Sequence, residues 1–205
     1  MSHQSSSMLL SAIRQPGKAL SALRDLARGR WYTLWYPLRG IRLEAGRNFR
    51  VHGRLIVRGP GRVIFGDDVR IDSVVTPWTY SATAVIRVGS GSYVNGTRFG
   101  CQQEITIGPG AILADARILD TDFHSTRVNR HNPDAPIRVA PIRIDENVWI
   151  AAAAGILPGT SIGRNSVVGF GAVCTGSYPP DSVIAGNPAQ VVSAIPSERD
   201  TGRDR

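Results

Sequence analysis

Cysteine is scarce in this chain. Two residues, Cys101 and Cys174, cannot supply the disulfide framework of a small secreted domain, and Cys174 is placed to act as a small interior hydrophobe. No apolar run approaches the ~20 residues needed to span a bilayer, and no signal-peptide pattern is visible. A reducing cytoplasm is the expected compartment. Aromatic residues make up only 7%, whereas glycine (22) and proline (13) are plentiful, the balance of a chain with many turns. Histidine is limited to His3, His52, His124 and His131. The first is terminal and the second remote, so a three-histidine zinc site is hard to assemble and no metal is expected. Acidic residues are outnumbered, 16 against 24 basic, for a formal net charge of +8. The excess is concentrated between residues 8 and 50, where nine basic side chains face only Asp25 and Glu44. The rest is close to neutral, and the basic face of a nucleic-acid-binding body is not expected. A chain of 205 residues has room for one full-sized domain with a proper core, not two.

What is abundant is a period of six. Ile144, Ile150, Ile156, Ile162 and Val168 succeed one another at that interval, and Cys174 fills the next slot. A helix repeats at 3.6 residues and a strand at 2, so six requires one short unit folded again and again. Hexapeptide repetition predicts a parallel β-helix, a solenoid with one short strand per repeat. The beat also runs through Ile107, Leu113 and Leu119, through Phe65 and Ile71, and through Val51, Val57, Val63, Val69 and Val75. Two residues before the later aliphatic positions stand mostly small or β-branched residues: Ile142, Val148, Ala154, Thr160, Ser166 and Ala172. They suit a tight interior where the chain turns a corner.

Three segments depart from the beat. Residues 1–7 read as a disordered start, and Pro16-Gly17 separates a short Met8–Ile13 segment from a longer helical stretch. There Leu20, Leu23, Leu26, Trp31, Leu34 and Trp35 keep helical spacing with arginines between them, over about Lys18 to Tyr36. Pro37 is expected to stop this helix. Two roles are open to it: packing against the solenoid end or a neighbouring subunit, or lying on an anionic membrane through residues 18–36, with Trp31, Tyr32, Trp35 and Tyr36 at the interface. The second would make the protein peripheral at the inner face of the membrane. Leu119 to Ile144 is 25 residues, one more than a multiple of six, and the segment between is polar and contains proline. It must leave the coil as a loop, residues 125–141, directly after Asp120-Thr121-Asp122-Phe123-His124. The expected division is a basic helical segment over 1–40, the solenoid over 41–195 and a disordered tail over 196–205.

Val148-Trp149-Ile150, Ile156-Leu157-Pro158-Gly159, Tyr178-Pro179-Pro180 and Ala185-Gly186-Asn187-Pro188-Ala189 resemble the hexapeptide-repeat acyltransferases. The nearest branch is that of galactoside, maltose and Nod-factor acetyltransferases and the O-acetyltransferases of surface polysaccharides. The likeness is strong over 84–192, weaker over 41–83 and absent from the helix. It implies an all-β, left-handed parallel β-helix with an N-terminal amphipathic helix and one extruded loop. It also implies a homotrimer that uses acetyl-CoA as co-substrate, with no permanently bound cofactor, and a saccharide as acceptor. The family's catalytic histidine maps to His124, whose imidazole has the right basicity to take a hydroxyl proton. Asp120 or Asp122 could orient its ring, as could a backbone carbonyl. Asn95 maps to an acceptor-binding asparagine, although an asparagine also suits a left-handed corner; Asp122 joins it on the acceptor side, while a family acid is replaced near Gln102-Gln103. The CoA groove maps to Trp149, Ala152, Phe170, Thr175, Gly176, Gln190 and Ser193. Gly176, Gln190 and Ser193 stand where many members carry a cation for the CoA phosphates, a loss that Arg143, Arg164 or a neighbouring subunit would have to offset.

Three other functions compete with saccharide O-acetylation in bacterial surface-glycan synthesis. An N-acyltransferase acting on a nucleotide-linked amino sugar would use the same donor and fold. A zinc carbonic anhydrase on a similar solenoid would need the third histidine ligand. A non-catalytic scaffold would need neither His124 nor the loop beside it.

Overall fold

The computed structural model describes residues 16–196. The expectations for a disordered start, for the Met8–Ile13 segment and for all but the first residue of the tail lie outside the described residues. From Arg42 onward the chain winds as a three-sided parallel β-helix. Its first face stacks Arg42–Ala45, Arg62–Phe65, Val85–Val88, Glu104–Ile107, Ile142–Ile144, Ser161–Ile162 and Ser177–Tyr178. The second stacks Arg50–Val51, Arg70–Asp72, Tyr93–Asn95, Ile112–Ala114, Trp149–Ile150, Val167–Val168 and Ser182–Gly186. Arg54–Leu55, Val74–Thr79, Arg98–Cys101, Arg117–Leu119, Gly155–Ile156 and Val173–Cys174 form the third.

The beat of six becomes vertical ladders of interior side chains, except at Leu119, which is half-buried opposite Gly100 while Ile118 takes the interior place. Phe65, Val88, Ile107, Ile144, Ile162 and Tyr178 lie in register on the first face. On the second, Val51, Ile71, Val94, Leu113, Ile150, Val168 and Ile184 do the same. Ile118, Ile156 and Cys174 line the third. The residues two positions earlier are buried too, so each repeat sends two side chains inward, the smaller beside a turn: Val148 with Ile150, Ala154 with Ile156, Ala172 with Cys174. At the corner between the first and second faces, Asn48, Asp68, Asn147, Asn165 and Asp181 adopt positive φ, which their short polar side chains tolerate. Asn147 donates to Asn165 and Asn165 to Asp181, at 3.1 and 2.7 Å, a side-chain ladder running up that corner.

A helix, Pro16–Leu38, closes the first coil. Proline at its first position costs no hydrogen bond, because that N–H would be unpartnered in any case. Pro37 does not stop it. The helix continues to Leu38, and Gly40 ends it with φ of 75°. The Ile41 N–H reaches back to the Tyr36 carbonyl and the Gly40 N–H to that of Pro37, both at 3.0 Å, a closure that needs the left-handed conformation glycine adopts freely. The helix packs through Ala22, Asp25, Gly29, Tyr32 and Tyr36, and its polar groups satisfy the open edge of the coil. The Arg28 guanidinium donates to the carbonyls of His52 and Gly53. The Tyr36 hydroxyl donates to Leu55 O at 2.8 Å and accepts from Val57 N at 3.2 Å. No described helix is long and apolar enough to cross a membrane. At the far end Ala189–Ala194 folds back antiparallel on Ser182–Gly186 and covers the edge of the second face.

Candidate active site

The extruded loop springs from the corner between the third and first faces, and its stem is built from the sequence Asp120-Thr121-Asp122-Phe123-His124. Asp120 is fully buried. Its carboxylate accepts the backbone N–H groups of Gln102, Gln103 and Glu104 at 2.6, 2.8 and 2.8 Å, so both oxygens hold the preceding corner in place and neither is committed to the histidine ring. The two ends of the loop pair with each other: Thr121 bridges Val139, Asp122 N–H donates to Arg138 O, and Ala140 N–H to Asp120 O.

Above that stem the backbone reverses sharply. Phe123 has φ of 60°, a costly conformation for a bulky side chain, and the His124 N–H closes the turn onto Asp122 O at 2.7 Å. The Phe123 ring offsets this strain by packing. It covers Gly100, where any Cβ would stand 2.6 Å from the ring, and meets Tyr80 edge-on at 4.8 Å. His124 comes directly after it, exposed at the base of the loop, with no side-chain hydrogen bond among the described residues. An imidazole held by its backbone and left open at both nitrogens is free to exchange a proton with a bound substrate. His131 is exposed farther out along the loop.

Asn95 is half-buried at the end of a second-face strand. It is not the left-handed corner residue; its neighbour Gly96 is, with φ of 64°. Asn95 lines a groove of about 470 Å³ with Ser73, Thr76, Arg98, Asp115 and Arg117. Asp122, on the stem, is not among the residues of that groove.

The residues mapped to CoA fall into two groups. Thr175 and Gly176 occupy the same corner as the His124 loop, two coils farther on. Trp149, exposed on the second face, Ala152 and Phe170 at the next corner, and Gln190 and Ser193 on the closing strand form the other group. The third face separates them within one chain. Arg143 stands on the first face and Arg164 at the corner between first and second, where it lines a groove of about 310 Å³ with Asp145 and Glu146. Burial pushes the Cys174 thiol up to about 11, partly offset by a hydrogen bond with Tyr178, and raises the Tyr178 hydroxyl as well.

The charge sum hid one feature of the surface. Arg54, Arg58, Arg98 and Arg117 all project from the third face or its rim, and the strands of that face, unlike those of the other two, carry no Asp or Glu. The signal was present in sequence: Arg54, Arg98 and Arg117 each immediately precede an interior residue, Leu55, Phe99 or Ile118, and must therefore point outward.

Residues 141–176 match the family described as bacterial transferase hexapeptide (six repeats). Over 203 residues the chain is 30% identical to a protein of Mycobacterium tuberculosis named "Probable acetyltransferase", an alignment covering 89% of this chain and 66% of that one. It is 32% identical over 128 residues to the galactoside O-acetyltransferase of Escherichia coli, covering 62% of each. The chain thus spans about two thirds or less of the length of these curated relatives. Among solved structures, a hexapeptide-repeat acetyltransferase of Vibrio cholerae complexed with acetyl coenzyme A matches with a TM-score of 0.58 at 22% identity, over 96% of this chain and 92% of that one, a likeness of fold. From repeat, solenoid and relatives together, the chain is a hexapeptide-repeat protein similar to acetyltransferases built on that repeat.

Proposed function

We propose that the protein transfers an acetyl group from acetyl-CoA to a saccharide hydroxyl, with His124 as general base, in the synthesis of a bacterial surface glycan. The observation that carries this reading is the uncommitted His124 imidazole, fixed on the strained Phe123 stem beside an open face of the solenoid. In the reaction His124 takes the hydroxyl proton as the sugar oxygen bonds to the thioester carbonyl carbon. A backbone N–H of a neighbouring coil stabilises the resulting oxyanion. Collapse breaks the C–S bond, and the imidazolium returns its proton to the CoA sulfur. A backbone carbonyl fits the role of ring-orienting group better than Asp120, whose oxygens are already occupied. The two groups of CoA residues meet if a homotrimer sets the second face of one subunit against the His124 corner of the next; acetyl-CoA then binds in that intersubunit groove and the acceptor enters beside Asn95 and Asp122.

His124→Ala tests the chemistry. Thiol release from acetyl-CoA in the presence of a saccharide acceptor should fall by roughly 10²–10⁴-fold, the usual worth of a positioned base. Acetyl-CoA binding should persist. His131→Ala in the same loop should lose much less. Wild-type turnover in His124→Ala would remove the mechanism.

The helix suggests where the reaction takes place. Its inward side carries Asp25, Leu26, Gly29, Tyr32 and Tyr36, while Leu20 (71% exposed), Leu23, Trp31, Leu34 (69%), Trp35 and Leu38 (83%) form an outward stripe flanked by the exposed Arg24, Arg30 and Arg39. Asp25, the only acid of the helix, is buried. An apolar stripe with basic flanks and no exposed negative charge complements an anionic bilayer surface, and this supports a site of action at the cytoplasmic face of the membrane.

A further inference from the structure

The third face carries a pattern that acetyl transfer alone does not use. None of its strands contains Asp or Glu. Its outward positions include Arg54, Trp78, Arg98 and Arg117, with Arg58 just beyond the first strand. Thr76, Arg98 and Arg117 are lateral neighbours in consecutive coils, about 4.8 Å apart in the hydrogen-bonding direction. The Trp78 ring lies between two guanidinium groups, Arg58 at 4.9 Å and Arg98 at 5.6 Å from its centroid. Stacking of this kind fixes an arginine in direction without consuming its hydrogen-bond donors. Among the described residues Arg54, Arg58 and Arg98 make no ion pair. Arg117 pairs with Asp115 at 3.0 Å, both side chains being half-exposed.

These arginines and His124 share one strip of surface. Arg98 and Arg117 line the groove that holds Asn95. Two residues farther along the same strands, roughly 7 Å away, come Gly100 and Leu119, and Gly100 is where the Phe123 ring packs, immediately before His124. A saccharide with its reactive hydroxyl at His124 would therefore extend its next ring or substituent over Arg98 and Arg117.

We infer that the acceptor is an acidic saccharide, its carboxylate or phosphate group held by Arg98 and Arg117 while a hydroxyl of the same or the adjoining residue reaches His124. The inference rests on the acetyltransferase reading and adds the acceptor's chemical class. Two guanidiniums at strand spacing can each present a fork of N–H donors to one anionic group. Asp115 lines the same groove and pairs with Arg117, so an acidic group that reaches Arg117 takes the place of that carboxylate.

The test compares uronate- and sialate-containing oligosaccharides with their carboxyl-reduced counterparts. Direct binding to His124→Ala, measured by calorimetry, requires no turnover. At least one acidic oligosaccharide should bind about tenfold or more tighter than its reduced counterpart, with the difference shrinking as salt is raised. Arg98→Gln and Arg117→Gln in the wild-type background should each raise KM for the acidic acceptor about tenfold while kcat and KM for acetyl-CoA stay within twofold. Arg87→Gln, on the first face, should leave all three unchanged. Equal binding of acidic and reduced saccharides would overturn the inference, as would Arg98 and Arg117 variants that weaken both alike. Tighter binding of a single-stranded oligonucleotide than of any acidic saccharide would also overturn it. Failure of the underlying reading looks different: the acidic saccharide binds, and acetyl-CoA releases no thiol with any acceptor.

Discussion

Asp120 is, by sequence, a candidate to orient His124, and its environment shows why a residue's type does not fix its role. A carboxylate beside a histidine is good chemistry on paper, but here the previous corner offers three backbone N–H groups to the same oxygens, and that competition wins. The same buried corner raises the Cys101 thiol, through desolvation first and then the Asp120 charge. Cys174 is raised to about 11, chiefly by burial. The sign comes from linkage. A thiol held protonated in the folded state, against an ordinary value of 9.0, contributes stability that is fully present below about pH 9 and is lost as the pH climbs toward 11. Urea midpoints measured from pH 8 to 11 should fall on the alkaline side. In Cys101→Ala/Cys174→Ala that fall, relative to the variant's own value at pH 8, should be shallower. Equal slopes would mean that the thiols are not linked to alkaline unfolding.

Among the elements, the strands were legible because their period is unusual; few structures other than a solenoid repeat apolar side chains every six residues. The helix was legible as a helix but not in its facing. Its amphipathic pattern leaves packing and membrane roles open and groups Tyr32 and Tyr36 with Trp31 and Trp35 at a membrane interface, whereas Arg28, Tyr32 and Tyr36 turn toward the solenoid. The physical reason is the open edge of the first coil. Unpaired carbonyl and N–H groups at His52, Gly53, Leu55 and Val57 need polar partners, and a leucine stripe has none to offer. The apolar side is left exposed. The full-length protein should therefore sediment with vesicles containing anionic lipid and remain in solution with neutral ones. Trp31→Ser/Leu34→Ser should abolish sedimentation without changing the thermal transition of the solenoid. Sedimentation unaffected by that double substitution would show that the stripe does not bind lipid, and complete burial of the stripe between subunits would give its occupant as a second copy.

At the scale of the whole molecule, the likeness to a family of acyltransferases supplied the candidate residues of the site, and within the single chain they fall into two separate groups. Sequence could place His124 at the root of a loop because the beat breaks there. It could not reveal that Thr175 and Gly176 share that corner while Trp149 and Phe170 lie across the third face, since a period of six gives the face of a residue only once the coil count is known. The arginines of the third face escaped for the same reason: Arg58, Arg98 and Arg117 are far apart in sequence and come together only through coil stacking. The central claim, that two separated groups join between subunits into one acetyl-transfer site, is tested most directly by mixing inactive halves. Trimers reassembled from equal amounts of His124→Ala and Trp149→Ala/Phe170→Ala, each nearly inactive alone, should recover about a quarter of wild-type turnover, because one interface in four joins two intact halves. A mixture as inactive as its components, or full activity in a wild-type monomer by light scattering, would contradict it.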